Sequence, residues 1–176
     1  MAPTPALDDW ASERFRFRDL CECSETWRLS PLDNAPRDPD TFHSMRGLCQ
    51  EILDPIVARF GEIELTYGFA GAALARRIRT RIAPRLDQHA GHERSASGGY
   101  ICARLGQAVD LRCSQVGAAD LARFIIEATP FDRLYFYGDE RPLHVSWGPQ
   151  HSRARCAVVE VDGRRMPRPL KLDTLP

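Results

Sequence analysis

The sequence predicts an α+β protein, and two observations lead to this fold class. Apolar residues at three- and four-residue spacing, typical of helices with one buried face, dominate the first half of the chain. Short segments of alternating polarity, joined by short turns, cluster in the second half. Because strands and helices do not alternate regularly, we expect a small, mostly antiparallel sheet with helices packed on one side.

The chain length of 176 residues suits a single domain. We expect a loose N-terminal leader over residues 1–14, a main domain over residues 15–149 and a C-terminal β-hairpin extension over residues 150–176. Hydrophobic residues make up 43% of the chain and charged residues 27%, as in globular proteins, which excludes a disordered or fibrous chain.

The longest predicted helix begins near residue 39. Asp38 or Asp40 can cap it, and the proline between them is tolerated in a first helical turn. Apolar residues then recur on one face over Phe42–Phe60. Pro55 lies inside this pattern and should kink or break the helix, because proline has no backbone N–H.

The remaining elements follow from the same periodicities. Two further helices are predicted, over Ala72–Ile82 and Ala118–Ala128. Strands are predicted at Glu62–Tyr67, Ala108–Leu111, Phe131–Tyr137, Leu143–Trp147 and Cys156–Val161. A turn at residues 138–141 should join the third and fourth of these strands, and Asp162-Gly163 should turn the last strand into a second hairpin.

Charge and hydropathy exclude several classes of partner. The 24 basic and 24 acidic residues give a formal net charge of zero, which argues against a nucleic-acid or anionic-membrane surface. No apolar run approaches the roughly 20 residues that cross a bilayer, and the first residues lack the apolar segment of a secretory signal. We therefore expect a cytoplasmic protein with reduced cysteines, acting on a small molecule, in an oligomeric state that the sequence leaves open.

Three polar segments contain candidate metal ligands, namely His89 and His92, then Asp110, then His144. Two histidines and an aspartate suit Zn²⁺ and leave a fourth position for water. Strand periodicity places His144 and Ser146 on one face of their strand. The same residues also fit ordinary hydrogen-bonded histidines. The first segment reads HxxHE, and it is not the HExxH of zinc peptidases because its glutamate lies outside the histidine pair.

Several short motifs follow one another over residues 15–147. The motifs include Ile52-Leu53-Asp54-Pro55, Leu65-Thr66-Tyr67-Gly68-Phe69, Gln88-His89, Gly106–Asp110, Phe131–Leu134 and Leu143–Trp147. In this order they resemble the LLDP, VTSGY, QH, GQAxD, FDQL and VHVSY segments of the zinc D-alanyl-D-alanine carboxypeptidases, a peptidase family that shares its fold with the Hedgehog signalling domain. The resemblance implies a Hedgehog/DD-peptidase fold and a bound zinc ion.

The resemblance implies zinc held by Asp110, His144 and one earlier histidine. The family places that histidine three residues before the glycine of its aspartate motif, where this chain has Ala103. Either the ligand is lost, or residues 90–105 contain an insertion and Gln88-His89 supplies it; we favour the insertion. His92 is a further candidate, and binding by both histidines would give a closed site of structural character.

The residues that the resemblance assigns to catalysis differ here. The family's substrate-binding arginine falls on Ala70, an asparagine falls on Ala75, and the catalytic glutamate falls on Tyr137. We predict that Asp139, Glu140 or Glu93 replaces the general base. Arg104, Arg133 or Arg141 could replace the arginine.

We therefore expect a zinc-dependent hydrolase of the D-alanyl-D-alanine carboxypeptidase type, acting on an amide or peptide bond of a small peptide-like or metabolite substrate. Two alternatives stay open. One is a catalytically inactive recognition or partner protein of the same fold. The other is a cytoplasmic metalloenzyme with non-peptidase chemistry on a small metabolite, which an exposed thiol of depressed pKa at Cys102 or Cys113 would favour.

Overall fold

The computed structural model describes residues 4–78, 86–161 and 164–176. It confirms an α+β fold with a six-stranded sheet. The strands are β1 (Ile63–Tyr67), β2 (Gln107–Cys113), β3 (Arg133–Phe136), β4 (Leu143–Trp147), β5 (Ala154–Val161) and β6 (Arg164–Pro169). Their order in the sheet is β1-β2-β4-β3-β5-β6, and every neighbouring pair is antiparallel except β3 and β5.

The helices of the described residues lie mostly before β2 in the chain. They are α1 (Phe17–Cys21), α2 (Glu25–Leu29), α3 (Pro39–Leu48), α4 (Asp54–Phe60), α5 (Ala72–Ala75) and α6 (Ala118–Ala128). A π-helical turn, Cys49–Leu53, joins α3 to α4, and short 3₁₀ turns lie at Gln88–Ala90 and Leu172–Thr174.

The long N-terminal helix is confirmed, with the interruption that its proline predicts. Asp38 caps α3 by accepting a hydrogen bond from the backbone N–H of Asp40 at 3.0 Å. Pro55 cannot donate to the preceding turn, and the wider π-helical turn lies directly before it. The helix ends at Gly61, whose φ of 86° is costly for other residues.

One face of the sheet forms the core. Alternate residues of the three central strands are buried there, namely Val109, Leu111, Leu134, Phe136, Leu143 and Val145. Helices α3 and α6 pack against this face. A Cβ atom at Gly47 would lie 2.6 Å from the ring of Trp147, so α3 rests directly on β4. Asp110 of β2 and His144 and Ser146 of β4 alternate with these apolar residues and consequently point to the opposite face.

Most of the predicted elements are confirmed. Helix α6 has the predicted bounds, and β3 and β4 form the predicted hairpin. The predicted helix Ala72–Ile82 is confirmed only over α5: residues 76–78 are not helical, and residues 79–82 lie outside the described residues. Strands β5 and β6 pair up to Val161 and Arg164, and the predicted Asp162-Gly163 turn lies outside the described residues.

Both predicted terminal segments contain residues that contact the main domain. In the first segment, Ala11 is buried and the hydroxyl of Ser12 donates to Asp54 at 2.9 Å. At the other end, β5 pairs with β3 and extends the same sheet. In the parts of the chain that the structure describes, every helix is too short or too polar to span a bilayer.

Candidate metal centre

Two neighbouring strands bring the first two candidate ligands together. Asp110 on β2 and His144 on β4 are direct cross-strand partners, and both point away from the helical core. His144 Nδ1 lies 2.8 Å from Asp110 Oδ1. The ring of His144 also stacks on Tyr135 of β3, with centroids 4.8 Å apart, which fixes the plane of the imidazole.

His89 reaches these residues from a 3₁₀ turn that lies against β2. Asp87 caps this turn, because its Oδ1 accepts the backbone N–H of His89 at 3.1 Å. His89 Nδ1 donates to the carbonyl oxygen of Gly68 at 2.8 Å, so the proton of the neutral ring lies on Nδ1. Its Nε2 faces Asp110 Oδ1 and Asp87 Oδ1, both at 3.4 Å.

Gln88 anchors the same turn to the sheet. Its side-chain oxygen accepts the hydroxyl of Ser146 at 2.7 Å, and its amide nitrogen donates to Asp132 at 2.8 Å. Gly148 leaves room for this amide, since a Cβ there would lie 2.7 Å from Gln88 Nε2. Gln88 therefore holds the turn while its neighbour His89 enters the site.

A β-bulge shapes the edge of the site. Leu65 pairs with Leu111, but Tyr67 pairs with Asp110, so strand β1 contains one extra residue at this point. The bulge turns Tyr67 to the face of Asp110, where its ring centroid lies 4.0 Å from that of His89. Burial raises the pKa of Tyr67 well above its usual value, so this phenol stays neutral.

The charges of the site depend on one another. Burial alone would raise the pKa of Asp110, but hydrogen bonds with His144 and His89 hold it well below its usual range. Burial lowers the pKa of His89, but the negative charges of Asp87 and Asp110 outweigh it and raise this pKa to about 9. The site thus concentrates carboxylate charge around two imidazoles and favours a bound cation.

The geometry fits a metal ion. Donor atoms of Asp87, His89 and His144 all lie within 4.8 Å of one another, and Asp110 borders the same point. Tetrahedral coordination with bonds of about 2.0–2.1 Å separates ligand atoms by about 3.3–3.4 Å. The 3.4 Å from His89 Nε2 to Asp110 Oδ1 matches this value, and so does the 3.4 Å to Asp87 Oδ1, so either carboxylate could be the oxygen ligand beside His89. His144 Nδ1 lies closer to Asp110 Oδ1, at the hydrogen-bond distance of 2.8 Å. The hydrogen bond from His89 Nδ1 to a backbone carbonyl is the usual support of a ligating histidine.

His92 and Glu93, predicted as ligand and base, belong to a separate buried cluster at the start of α3. His92 Nε2 accepts hydrogen bonds from the backbone N–H of Gly106 at 3.1 Å and from Ser44 at 3.0 Å. Glu93 Oε1 accepts the backbone N–H groups of residues 37 and 38 and the hydroxyl of Thr41. Their acceptor atoms are engaged in holding the loop on α3, which leaves both residues outside the metal site.

The other predicted bases also lie elsewhere. Asp139 Oδ1 accepts the backbone N–H of Ala119 at 2.8 Å and so caps the start of α6. Glu140 and Arg141 are exposed in the turn between β3 and β4, and within the described ranges neither side chain contacts the histidines.

Arg104 is the predicted arginine that lies nearest the site. Its guanidinium donates to the hydroxyl of Tyr135 at 2.8 Å, and the ring of Tyr135 stacks on His144. Arg133, in contrast, bonds Gln150 at 2.6 Å. Burial raises the pKa of Cys102, which does not favour a reactive thiol there.

Asp87 lies in the first candidate segment but received no role from the sequence, and it borders a cleft of about 300 Å³. The cleft wall includes Asp87 and His89, together with Ala70 and Ala75. Ala70 and Ala75 occupy the two positions at which the resemblance would place an arginine and an asparagine. The signal for Asp87 was its position directly before Gln88-His89, where an aspartate can both cap a turn and face its histidine.

Comparison of the chain with protein-family models, with curated proteins and with solved structures finds no match.

Proposed function

We propose that this protein is a zinc-dependent hydrolase of the D-alanyl-D-alanine carboxypeptidase type, with a Hedgehog/DD-peptidase fold, that cleaves an amide bond in a small substrate. One observation carries the proposal: the facing nitrogens of His89 and His144 converge on Asp110 Oδ1, at 3.4 and 2.8 Å. The order of the resembling motifs supports it, since the QH, GQAxD and HVS segments meet at this point.

His89, Asp110 and His144 would hold the zinc ion, in agreement with the ligand set that the resemblance implies. When bound, zinc supplies Lewis-acid chemistry: it polarises the substrate carbonyl and lowers the pKa of water to about 7. A ligand set of two imidazole nitrogens and one carboxylate oxygen favours zinc over calcium or magnesium, which prefer all-oxygen sites.

Asp87 would act as the general base. Its carboxylate lines the cleft and lies 3.4 Å from His89 Nε2, whereas the three bases predicted from the sequence are engaged or exposed elsewhere. The carboxylate would accept a proton from the attacking water and return it to the leaving amine. The Gly68 carbonyl keeps His89 in its ligating tautomer, and Tyr135 orients His144.

The experiment measures metal content and hydrolysis on the same preparations. We expect about one zinc per chain in the wild-type protein, loss of that zinc in His144→Ala, and retention in His43→Ala, whose histidine is exposed. Asp87→Asn should keep the zinc but lose cleavage of small N-acyl amino acids and dipeptides. A zinc-loaded protein that cleaves none of these substrates would contradict the hydrolase and favour a recognition protein of the same fold.

We expect weak or absent cleavage of D-alanyl-D-alanine itself. The position that the resemblance assigns to a substrate-binding arginine is Ala70, which offers no positive charge to the substrate. Rapid turnover of this dipeptide would contradict that expectation.

A further inference from the structure

The cleft beside the candidate metal centre has a largely apolar wall. Five of its residues are alanines, at positions 70, 72, 75, 90 and 96, and Ile101 and Tyr67 complete the apolar surface. The wall also contains Asp87 and His89, so a molecule in the cleft lies next to the metal centre. Small side chains around an open volume leave space that a ligand can fill.

The volume sets the size of that ligand. An apolar cavity of about 150 Å³ already accommodates a benzene ring. The cleft has about twice that volume, about 300 Å³, and the methyl group of an alanine substrate would leave most of it empty. Large aliphatic or aromatic side chains therefore gain most from binding there.

Arg76 gives the cleft a charge preference. It is the only arginine or lysine among the described residues of the wall, and it is exposed. Within the described part of the chain, its guanidinium forms no hydrogen bond or ion pair, unlike that of Arg77, which bonds Ser30 at 2.7 Å. An exposed guanidinium beside an apolar cleft suits a carboxylate on the ligand.

We propose that the substrate is an N-acylated amino acid or short peptide whose large apolar side chain fills this cleft and whose free carboxylate binds Arg76. This inference rests on the proposed hydrolase and names its substrate class. Alanine at positions 70 and 75 opens the cleft, so these two residues determine specificity by their small size.

The test measures binding separately from cleavage. The affinities of N-acetyl-phenylalanine, N-acetyl-leucine and N-acetyl-alanine, each in both enantiomers, are measured by calorimetry with zinc-loaded and with EDTA-treated protein. We expect one enantiomer of the phenylalanine or leucine compound to bind at least about tenfold more tightly than the alanine compound, in both forms of the protein. Equal or undetectable binding of all the compounds would overturn the inference.

Two pairs of variants locate the effect. Ala75→Phe should fill the cleft and abolish the preference, whereas Ala73→Phe, on the same short helix but exposed and outside the wall, should keep it. Arg76→Ala should weaken the binding of N-acetyl-phenylalanine several-fold but should not weaken the binding of its amide, which lacks the carboxylate. Arg77→Ala should change neither affinity. Preference that survives Ala75→Phe would overturn the inference.

The binding readout also separates the two proposals. A clear preference without cleavage of any compound would contradict the hydrolase but support the cleft as a binding site. Cleavage with no preference for large side chains would support the hydrolase and overturn the specificity.

Discussion

His89 and His92 are three residues apart, and both are buried, yet their surroundings are opposite. His92 Nε2 receives two hydrogen-bond donors, from Gly106 and Ser44, so its lone pair is satisfied. His89 Nε2 instead faces two carboxylate oxygens, of Asp87 and Asp110. A nitrogen that faces acceptors requires a cation, either a proton or a metal ion. Burial does not distinguish these two histidines. They differ in their partners, which are hydrogen-bond donors at His92 and carboxylate acceptors at His89.

The largest expected effect is on zinc affinity when His89 is replaced. We expect His89→Ala to weaken zinc binding by more than about 100-fold, above the 10- to 100-fold typical of lost outer-shell partners. His92→Ala should leave zinc affinity within a few-fold of wild type, because its nitrogen bonds protein groups. Competition with a fluorescent chelator measures both, and equal losses in the two variants would remove the distinction.

The next effect concerns stability on the His92 side. Glu93→Ala should lower the free energy of unfolding by about 2 kcal/mol, because three donors at the start of α3 lose a charged acceptor. Glu93→Gln keeps one acceptor oxygen and should cost less. Glu140→Ala, at an exposed position, is the control. Urea denaturation measures all three, and unchanged stability in Glu93→Ala would show that this cluster does not hold the loop.

The third effect is a pH dependence confined to the metal-free protein. The pKa of His89 is raised to about 9 in the folded state, above about 6.5 in an unfolded chain. Its contribution to stability is therefore present below pH 6.5 and is lost as the pH rises through 9.

We expect a loss on the order of 2–3 kcal/mol between pH 6.5 and 9 in urea denaturation with EDTA present. His89→Gln cannot be protonated in this range and should flatten the curve. An equally steep curve in this variant would assign the effect to another group.

The smallest effect expected is at Gln88, which anchors the turn without entering the site. Gln88→Ala should lower zinc affinity by about tenfold, as the loss of an outer-shell support does. The exposed Gln115 provides the control, Gln115→Ala, with unchanged affinity. Isothermal titration with zinc measures both variants, and an unaltered Gln88→Ala would mean that the turn is held by its backbone alone.

The sequence predicted the part of the site that depends on strand periodicity. Asp110 and His144 lie on adjacent strands with the expected alternation, so their meeting follows once the two strands pair. The elements were predictable for the same reason, because apolar spacing and turn residues act locally. The sequence of α6 alone indicates both its buried apolar stripe and the residues at which the helix begins and ends.

Sequence reasoning failed where a residue's role depends on distant partners. Glu93 and Asp139 look like free carboxylates in the sequence, but each is engaged by the N-terminal N–H groups of a helix. The donors on Glu93 lie more than 50 residues away in the chain. Asp87 received no role for the opposite reason, since an aspartate before a turn already has an ordinary explanation as a cap.

The bulge in β1 separates the requirements of the sheet from those of the site. If Thr66 paired with Asp110 in an uninterrupted ladder, Leu65 would stay opposite Leu111 and the core would be unchanged. Tyr67 and the carbonyl of Gly68 would then shift by one pairing position along the strand, and His89 would lose both its neighbouring ring and the acceptor that fixes its tautomer. Straightening this edge strand would thus leave the core intact and remove two supports of the site.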